Sequence, residues 1–196
     1  MTLFAAGEGN TALSPEEQDG LIPNLSTREE LNEWERQNII VAHAWAFSRR
    51  GFARRDVLTE DFIRELHRRM FDQTWRWAGT YRTEDKNLGV PYFRIHEELA
   101  NLLADTGVWI EHGTYSSDEI AVRLHHRLAF IHPFANGNGR HARLMADLLA
   151  QKLGRPVFTW GSGDISSVGD LRRSYIDALQ SADRHETQPL LLFARS

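Results

Sequence analysis

The sequence predicts an all-α fold of six to eight helices with one small extended excursion, a β-hairpin flap. Three observations carry that expectation. Apolar residues recur at three- and four-residue steps along most of the chain. Ser/Thr-x-x-Glu signals stand where those periodic stretches begin. A single stretch, residues 74–94, replaces the helical period with Gly, Pro, aromatic and β-branched residues. At 196 residues the chain has room for one domain with a real core. Residues 1–25 read as an irregular arm, a candidate regulatory segment, and residues 26–196 as the folded domain.

In chain order, Ser14-Pro15 predicts a short helix with serine as cap and proline first. Thr27-x-x-Glu30 opens a long helix whose apolar face is expected from Leu31, Trp34, Asn38, Val41 and Trp45, with Gly51 as its end. Thr59 caps the next, with Phe62, Ile63, Leu66, Met70 and Phe71 as its stripe. After the 74–94 break a helix is predicted over 96–112, ending near Gly113. Ser116-x-x-Glu119 then opens one through Ile120, Leu124, Leu128 and Ile131. Leu144, Leu148 and Leu149 continue a helix to about Leu153, before Gly154. Ser167 or Gly169 starts another, through Leu171, Tyr175, Ala178 and Leu179. Gln188-Pro189 begins a last short one.

Composition removes several function classes. A net charge of −4 argues against broad electrostatic binding to nucleic acid or anionic lipid. No apolar run approaches the ~20 residues that span a bilayer. The absence of cysteine excludes disulfides, thiolate metal sites and cysteine nucleophiles. The start, MTLFAAGEGN, lacks the features of a secretory signal. A cytoplasmic protein is expected, or one delivered to another cell without a recognisable signal.

Residues 131–143, IHPFANGNGRHAR, interrupt the helices. Gly137-Asn138-Gly139 stands directly before a helix start, where glycine permits close approach and unpaired N–H groups favour an anion. Arg140 and Arg143 fall in the first turn, where cations oppose the helix dipole. They make sense beside an incoming polyphosphate, which guanidinium binds in a fork. The alternative pairs Arg143 with Asp147 and leaves Arg140 solvated. His132, at the other mouth of the loop, can accept a proton near neutral pH. A zinc site is disfavoured: His125, His126, His132 and His141 show no His-Glu-x-x-His spacing, and His125 and His132 share a helix face without a third ligand.

Taken together, residues 132–143 resemble the signature of the Fic family, His-x-Phe-x-Asp/Glu-Gly-Asn-Gly-Arg-x-x-Arg. WRWAGTYR resembles the segment before that family's flap. SPEEQDGLIP and STREELNEWERQNI resemble the subgroup called mobile mystery protein B. The resemblance implies a Fic fold and transfer of AMP from ATP to a Ser, Thr or Tyr hydroxyl of a target protein. It implies His132 as general base. It places the α- and β-phosphates on Asn136, Gly137, Asn138 and Gly139 with help from Arg140, and the γ-phosphate on Arg143. Asn87, Leu88, Gly89, Val90, Tyr92 and Phe93 would form the flap that holds the target as an added strand. Tyr175 is a candidate for the adenine site or a core-facing tyrosine. Glycine at 139, where Doc-type kinases carry lysine, points to AMP transfer.

Two departures stand out. Asn136 replaces the acidic residue that would hold Mg²⁺, offering a carbonyl oxygen without charge. The family's inhibitory Ser/Thr-x-x-x-Glu-Gly/Asn motif is matched only partly, by Glu8-Gly9-Asn10, with Glu8 as candidate inhibitor, and by Ser26-x-x-x-Glu30. Alternatives at the same site are transfer of another nucleotide, removal of AMP, or a nucleotide-binding module with weak catalysis. Expected partners are ATP and a target protein, with a cognate antitoxin or a second copy of the chain as further options.

Overall fold

The computed structural model describes residues 12–162 and 168–196. Among these the chain is helical, and two single-turn helices accompany seven longer ones. The order is α1 (Pro15–Gln18), α2 (Arg28–Ala46), α3 (Arg49–Phe52), α4 (Glu60–Phe71), a 3₁₀ turn (Tyr92–Arg94), α5 (Ile95–His112), α6 (Ser117–Ile131), α7 (Asn138–Lys152), α8 (Val168–Asp183) and α9 (Gln188–Arg195). Helix α6 is the centre, packed against α5, α7 and α9, and α4 joins α2 to α7. Its inward residues Leu124, Leu128 and Ile131 are buried, as are Met145 and Leu148 of α7 and Ile63, Leu66 and Met70 of α4.

The cap signals act as the spacing predicts. Ser14 and Thr27 form reciprocal capping boxes with Glu17 and Glu30. The hydroxyls of Thr59 and Ser116 accept from the N–H groups of Phe62 and Glu119, satisfying donors that the first turn leaves orphaned. Gly113 closes α5 in the left-handed region. Helix α8 begins at Val168; Ser167 lies outside the described residues.

Helix α2 departs from expectation in two ways. Its buried face is Leu31, Glu35, Ala42 and Ala46, and Val41 is 70% exposed. Of the large periodic residues, Leu31 is buried and Trp45 stacks on Phe62 of α4 with ring centroids 6.1 Å apart. Trp34 sits outside, donating its Nε1–H to the Gln73 carbonyl. The helix also ends at Ala46, before Gly51. Arg55 donates to the carbonyls of Trp45 and Ala46, orphans of the last turn that a cation satisfies well. Gly51 instead lies within α3.

Residues 74–94 form no hairpin. Isolated bridges join Leu21 to Trp75 and Tyr81 to Phe134, and apart from the 3₁₀ turn Tyr92–Arg94 the rest is irregular. Gly89 at φ +102° and Pro91, which lacks an N–H, stop a strand ladder from continuing. The Asp85 carboxylate accepts from the Tyr92 N–H at 2.8 Å, folding the loop on itself.

The α2 geometry sets opposite costs for two apolar truncations. Leu31→Ala should destabilise the protein by about 2–5 kcal/mol, and Val41→Ala by less than about 0.5 kcal/mol. Urea denaturation of both variants checks this, and a larger loss at Val41 would contradict the inward face given to α2.

Candidate active site

Helix α6 has to end at His132. A residue before proline is disfavoured in the helical region, and Pro133 has no N–H to continue the ladder. His132 takes φ 55°, ψ 58°, an uncommon left-handed conformation for a side-chain-bearing residue. Two residues on, Phe134 is fully buried and stacks on His67 with ring centroids 3.7 Å apart. His67 is itself bound on both edges. Its Nδ1 accepts from the Gly79 N–H at 3.0 Å, so its Nε2 carries the proton and donates to the Asn136 carbonyl at 3.0 Å.

The side chain of Asn138 closes the loop. Its Oδ1 accepts from the Phe134 N–H at 2.9 Å and its Nδ2 donates to the Phe134 carbonyl at 2.8 Å. Gly137 sits at φ 79° as the cap of α7, and a Cβ there would lie 2.5 Å from the Phe71 ring, so only glycine fits. Gly139 differs. The nearest atom to a Cβ there is the Tyr175 hydroxyl, 3.7 Å away. The fold makes no demand for glycine at 139, and the open face over the α7 N-terminus is free for a ligand to approach.

That N-terminus is electrostatically unlike the others. Each other described helix of twelve or more residues carries an acid in its first turn, and α7 carries none. A helix start with free N–H groups, no acid and two arginines favours an anion. It forms one wall of a cavity of about 470 Å³. His132, Asn136, Gly139, Arg140 and Arg143 all line it, and Trp160, Tyr175, Ile176 and Phe193 supply an apolar side. Arg28 and Arg172 also border it.

Neither motif arginine follows the simpler electrostatic alternative. Asp147 commits its carboxylate to the N–H of Phe158 and the Nε1–H of Trp160, each at 3.1 Å, and burial pushes its pKa up to about 6. The Arg143 guanidinium lies 5.3 Å from the Tyr175 ring centre. Arg140 is paired with Glu35 at 2.6 Å, and the other oxygen of Glu35 accepts from Trp75 Nε1 at 2.7 Å. Glu35 is 5% exposed. Sequence reasoning missed it because it stands 105 positions from Arg140. Its one local signal is a charge on the α2 face that also carries Leu31 and Ala42. Glu8, the sequence candidate for an acid facing the motif, lies outside the described residues.

Tyr175 lies between the cavity and the core. It lines the cavity, and it packs inward with its hydroxyl 3.1 Å from His125 Nε2. Of the flap residues, Val90 is buried while Leu88, Tyr92 and Phe93 are exposed. Gly89 lies directly against His132, since a Cβ there would be 2.7 Å from the His132 Cβ.

His132 is held in one tautomer. Its Nδ1 is 3.2 Å from the Ala129 carbonyl, which requires the proton on Nδ1 and leaves Nε2 as acceptor. Burial lowers its pKa to about 4, opposed by the Ala129 bond and aided by the Arg82 charge. The ring is neutral at pH 7. Asn136 turns its Oδ1 onto the Gly137 N–H at 2.6 Å. An uncharged oxygen engaged in its own loop does not make a Mg²⁺ ligand of the usual kind. Among the described residues no group of three His, Asp or Glu side chains converges on a metal position. The loop therefore does not fit a protein-held divalent cation.

The glycine-rich start of α7 thus shares one cavity with His132, Arg140 and Arg143. Residues 57–150 match the model of the Fic/DOC family. It is 34% identical over 125 residues to a protein adenylyltransferase, fic-1, of Caenorhabditis briggsae, covering 57% of this chain and 25% of that protein. It is 37% identical over 68 residues to a uridine 5′-monophosphate transferase of Xanthomonas campestris pv. campestris, covering 31% and 13%. The fold is similar to that of BepC from Bartonella tribocorum, solved with bound AMPPNP. There the TM-score is 0.63 and the identity 20%, over 92% of this chain and 96% of that one. The chain spans about a quarter of the length of the adenylyltransferase relative. No helix of the described residues is long and apolar enough to cross a membrane.

The buried histidines make stability depend on acid. Burial lowers the pKa of His125 to about 3 and of His132 and His141 to about 4, and drives His67 well below its usual value. Unfolded, all four would titrate near ~6.5. The unfolded chain therefore binds more protons between pH ~6.5 and ~4, and stability falls as pH falls through that window. Each histidine contributes about 1.4 kcal/mol per pH unit at the steepest point. Urea midpoints at pH 7.5 and pH 5 should differ clearly, and equal midpoints would show that these rings are not buried neutral.

Proposed function

We propose that this chain transfers the AMP moiety of ATP to a hydroxyl on a target protein. The observation that carries the reading is the pairing of an uncapped, arginine-flanked helix start with His132 Nε2 across one cavity. The polyphosphate lies on the N–H groups opening α7, where Gly139 leaves room, and Arg140 and Arg143 neutralise it. Trp160 and Tyr175 offer an aromatic side for the base. The target hydroxyl oxygen attacks the α-phosphorus, its proton passes to His132 Nε2, and the bond from the α-phosphorus to the bridging oxygen breaks to release pyrophosphate. His132 is neutral at pH 7 with its one proton on Nδ1, so Nε2 is ready to accept another. The exposed Leu88, Tyr92 and Phe93 beside it provide the surface on which the target is held, and Asn87, Gly89 and Val90 complete that edge. Because Asn136 brings no charge, no step here is assigned to a metal held by the protein.

Glu35 competes with phosphate for Arg140. Its carboxylate already neutralises that guanidinium, so nucleotide entry must displace or share the pair.

Incubation with labelled ATP and mass analysis for one added AMP tests the activity. His132→Ala should lower the rate by ~10²–10⁴, and label that persists in that variant would remove His132 from its role. Label from UTP but not ATP would make the donor a different nucleotide, and tight ATP binding without any label would make the site a binding module. Glu35→Gln keeps an acceptor for Trp75 while removing the charge. It should tighten ATP binding by roughly 10- to 150-fold, given ~1.5–3 kcal/mol for a charge-assisted bond. Calorimetric titration reads this directly, and unchanged affinity would mean that Glu35 does not compete.

A further inference from the structure

The Arg82 side chain has no exposed surface. A guanidinium is tolerated there only if its donors are met. They are met by four backbone carbonyls. Nε donates to His132 at 2.7 Å, Nη1 to Glu84 at 2.9 Å, and Nη2 to Ile131 at 3.4 Å and to Val90. Backbone bonds run alongside, from the Arg82 N–H to the Pro133 carbonyl at 3.0 Å and from the Val90 N–H to the Ile131 carbonyl at 3.3 Å. The carboxylate of Asp85, 3.7 Å from Nη1, faces the charge, and Glu17 adds a more distant favourable charge.

Two of the four acceptors, Ile131 and His132, stand where α6 ends and its carbonyls lack helical partners. The other two, Glu84 and Val90, belong to the irregular segment beside the cavity. One rigid planar group thus spans the base-bearing residue and the segment beside it. Between them, Gly89 leaves no slack, since a Cβ there would fall 2.7 Å from the His132 Cβ and 2.8 Å from Arg82 Nη2.

We propose that Arg82 is a positioning residue for His132, fixing its left-handed backbone and holding residues 84–90 against it in a single register. The proposal rests on the reading of His132 as general base. A hydroxyl delivered along residues 84–90 then arrives at a set offset from Nε2. The coupling requires arginine. Five donors in a flat fork can serve carbonyls of two segments at once, whereas an ammonium is a compact charge on a flexible stem. Arg82 does not line the cavity, so nucleotide binding should be indifferent to it.

Arg82→Lys keeps the charge and removes the fork. With the full chain, kcat for AMP transfer should fall by ~10², the scale of a 1 Å misplacement, with the Kd for ATP changed less than about twofold. Hydrogen exchange at the Val90 and His132 amides should accelerate together, ahead of the core of α6. Gly89→Ala, which leaves Arg82 in place and presses on the same contact, should lower kcat in the same way and serves where the lysine variant does not fold. Unchanged kcat in both variants, or loosening at Val90 with no change at His132, would overturn the coupling. If the unmodified protein transfers no AMP, the function proposed above fails. Exchange then decides alone, with joint loosening supporting the coupling and separate loosening refuting it.

Discussion

Beneath the loop, the flat stack of Phe134 on His67, 3.7 Å between centroids, fixes where everything above it can stand. Phe134 is held through its side chain by burial and through its backbone by the Asn138 amide. His67 is held by Gly79 on one edge and holds Asn136 on the other. The stack therefore ties α4, the chain entering the irregular segment, and the start of α7 to one point. With that point fixed, the six residues between α6 and α7 have little freedom, and the α7 N–H groups face the cavity without a side-chain cap. Neutral histidine suits the position because it donates on one edge and accepts on the other. Protonation would abolish the acceptor.

Charge around the site is arranged by subtraction as much as by addition. The other long helices begin with acids that quiet their dipoles, and α7 does not. Its compensation comes from outside the helix, through Glu35 on α2. A carboxylate at 5% exposure costs desolvation that one guanidinium does not always offset. Here a second donor, Trp75 Nε1, shares the load. The pair neutralises one of the two cations in the first turn of α7.

Much of this architecture was legible in the sequence because helices advertise themselves locally. Thr27 with Glu30, Thr59, Ser116 and the Gly113 stop each act within one or two turns of chain. So does the proline after His132. The loop was legible for the same reason: its glycines, arginines and histidine lie within twelve residues. On α2 the apolar spacing places Leu31 and Trp45 against the core but not Trp34 or Val41, whose places inside are taken by Glu35 and Ala42. Only the partner helix decides whether alanine or tryptophan fits the contact. The 74–94 segment has the composition of a hairpin, but its backbone groups find partners at the end of α6 and in the Arg82 side chain instead of in each other.

By itself, then, the sequence determined the helical class, most helix starts, and the glycine- and arginine-rich turn that opens α7, since these depend on interactions between near neighbours. Tertiary structure decided which acid neutralises Arg140, which tautomer His132 holds, and how closely Gly89 presses on it. It also decided that Arg82 spends its donors on two distant segments. Those outcomes depend on desolvation and on distances between residues tens of positions apart, and neither quantity exists until the chain has folded.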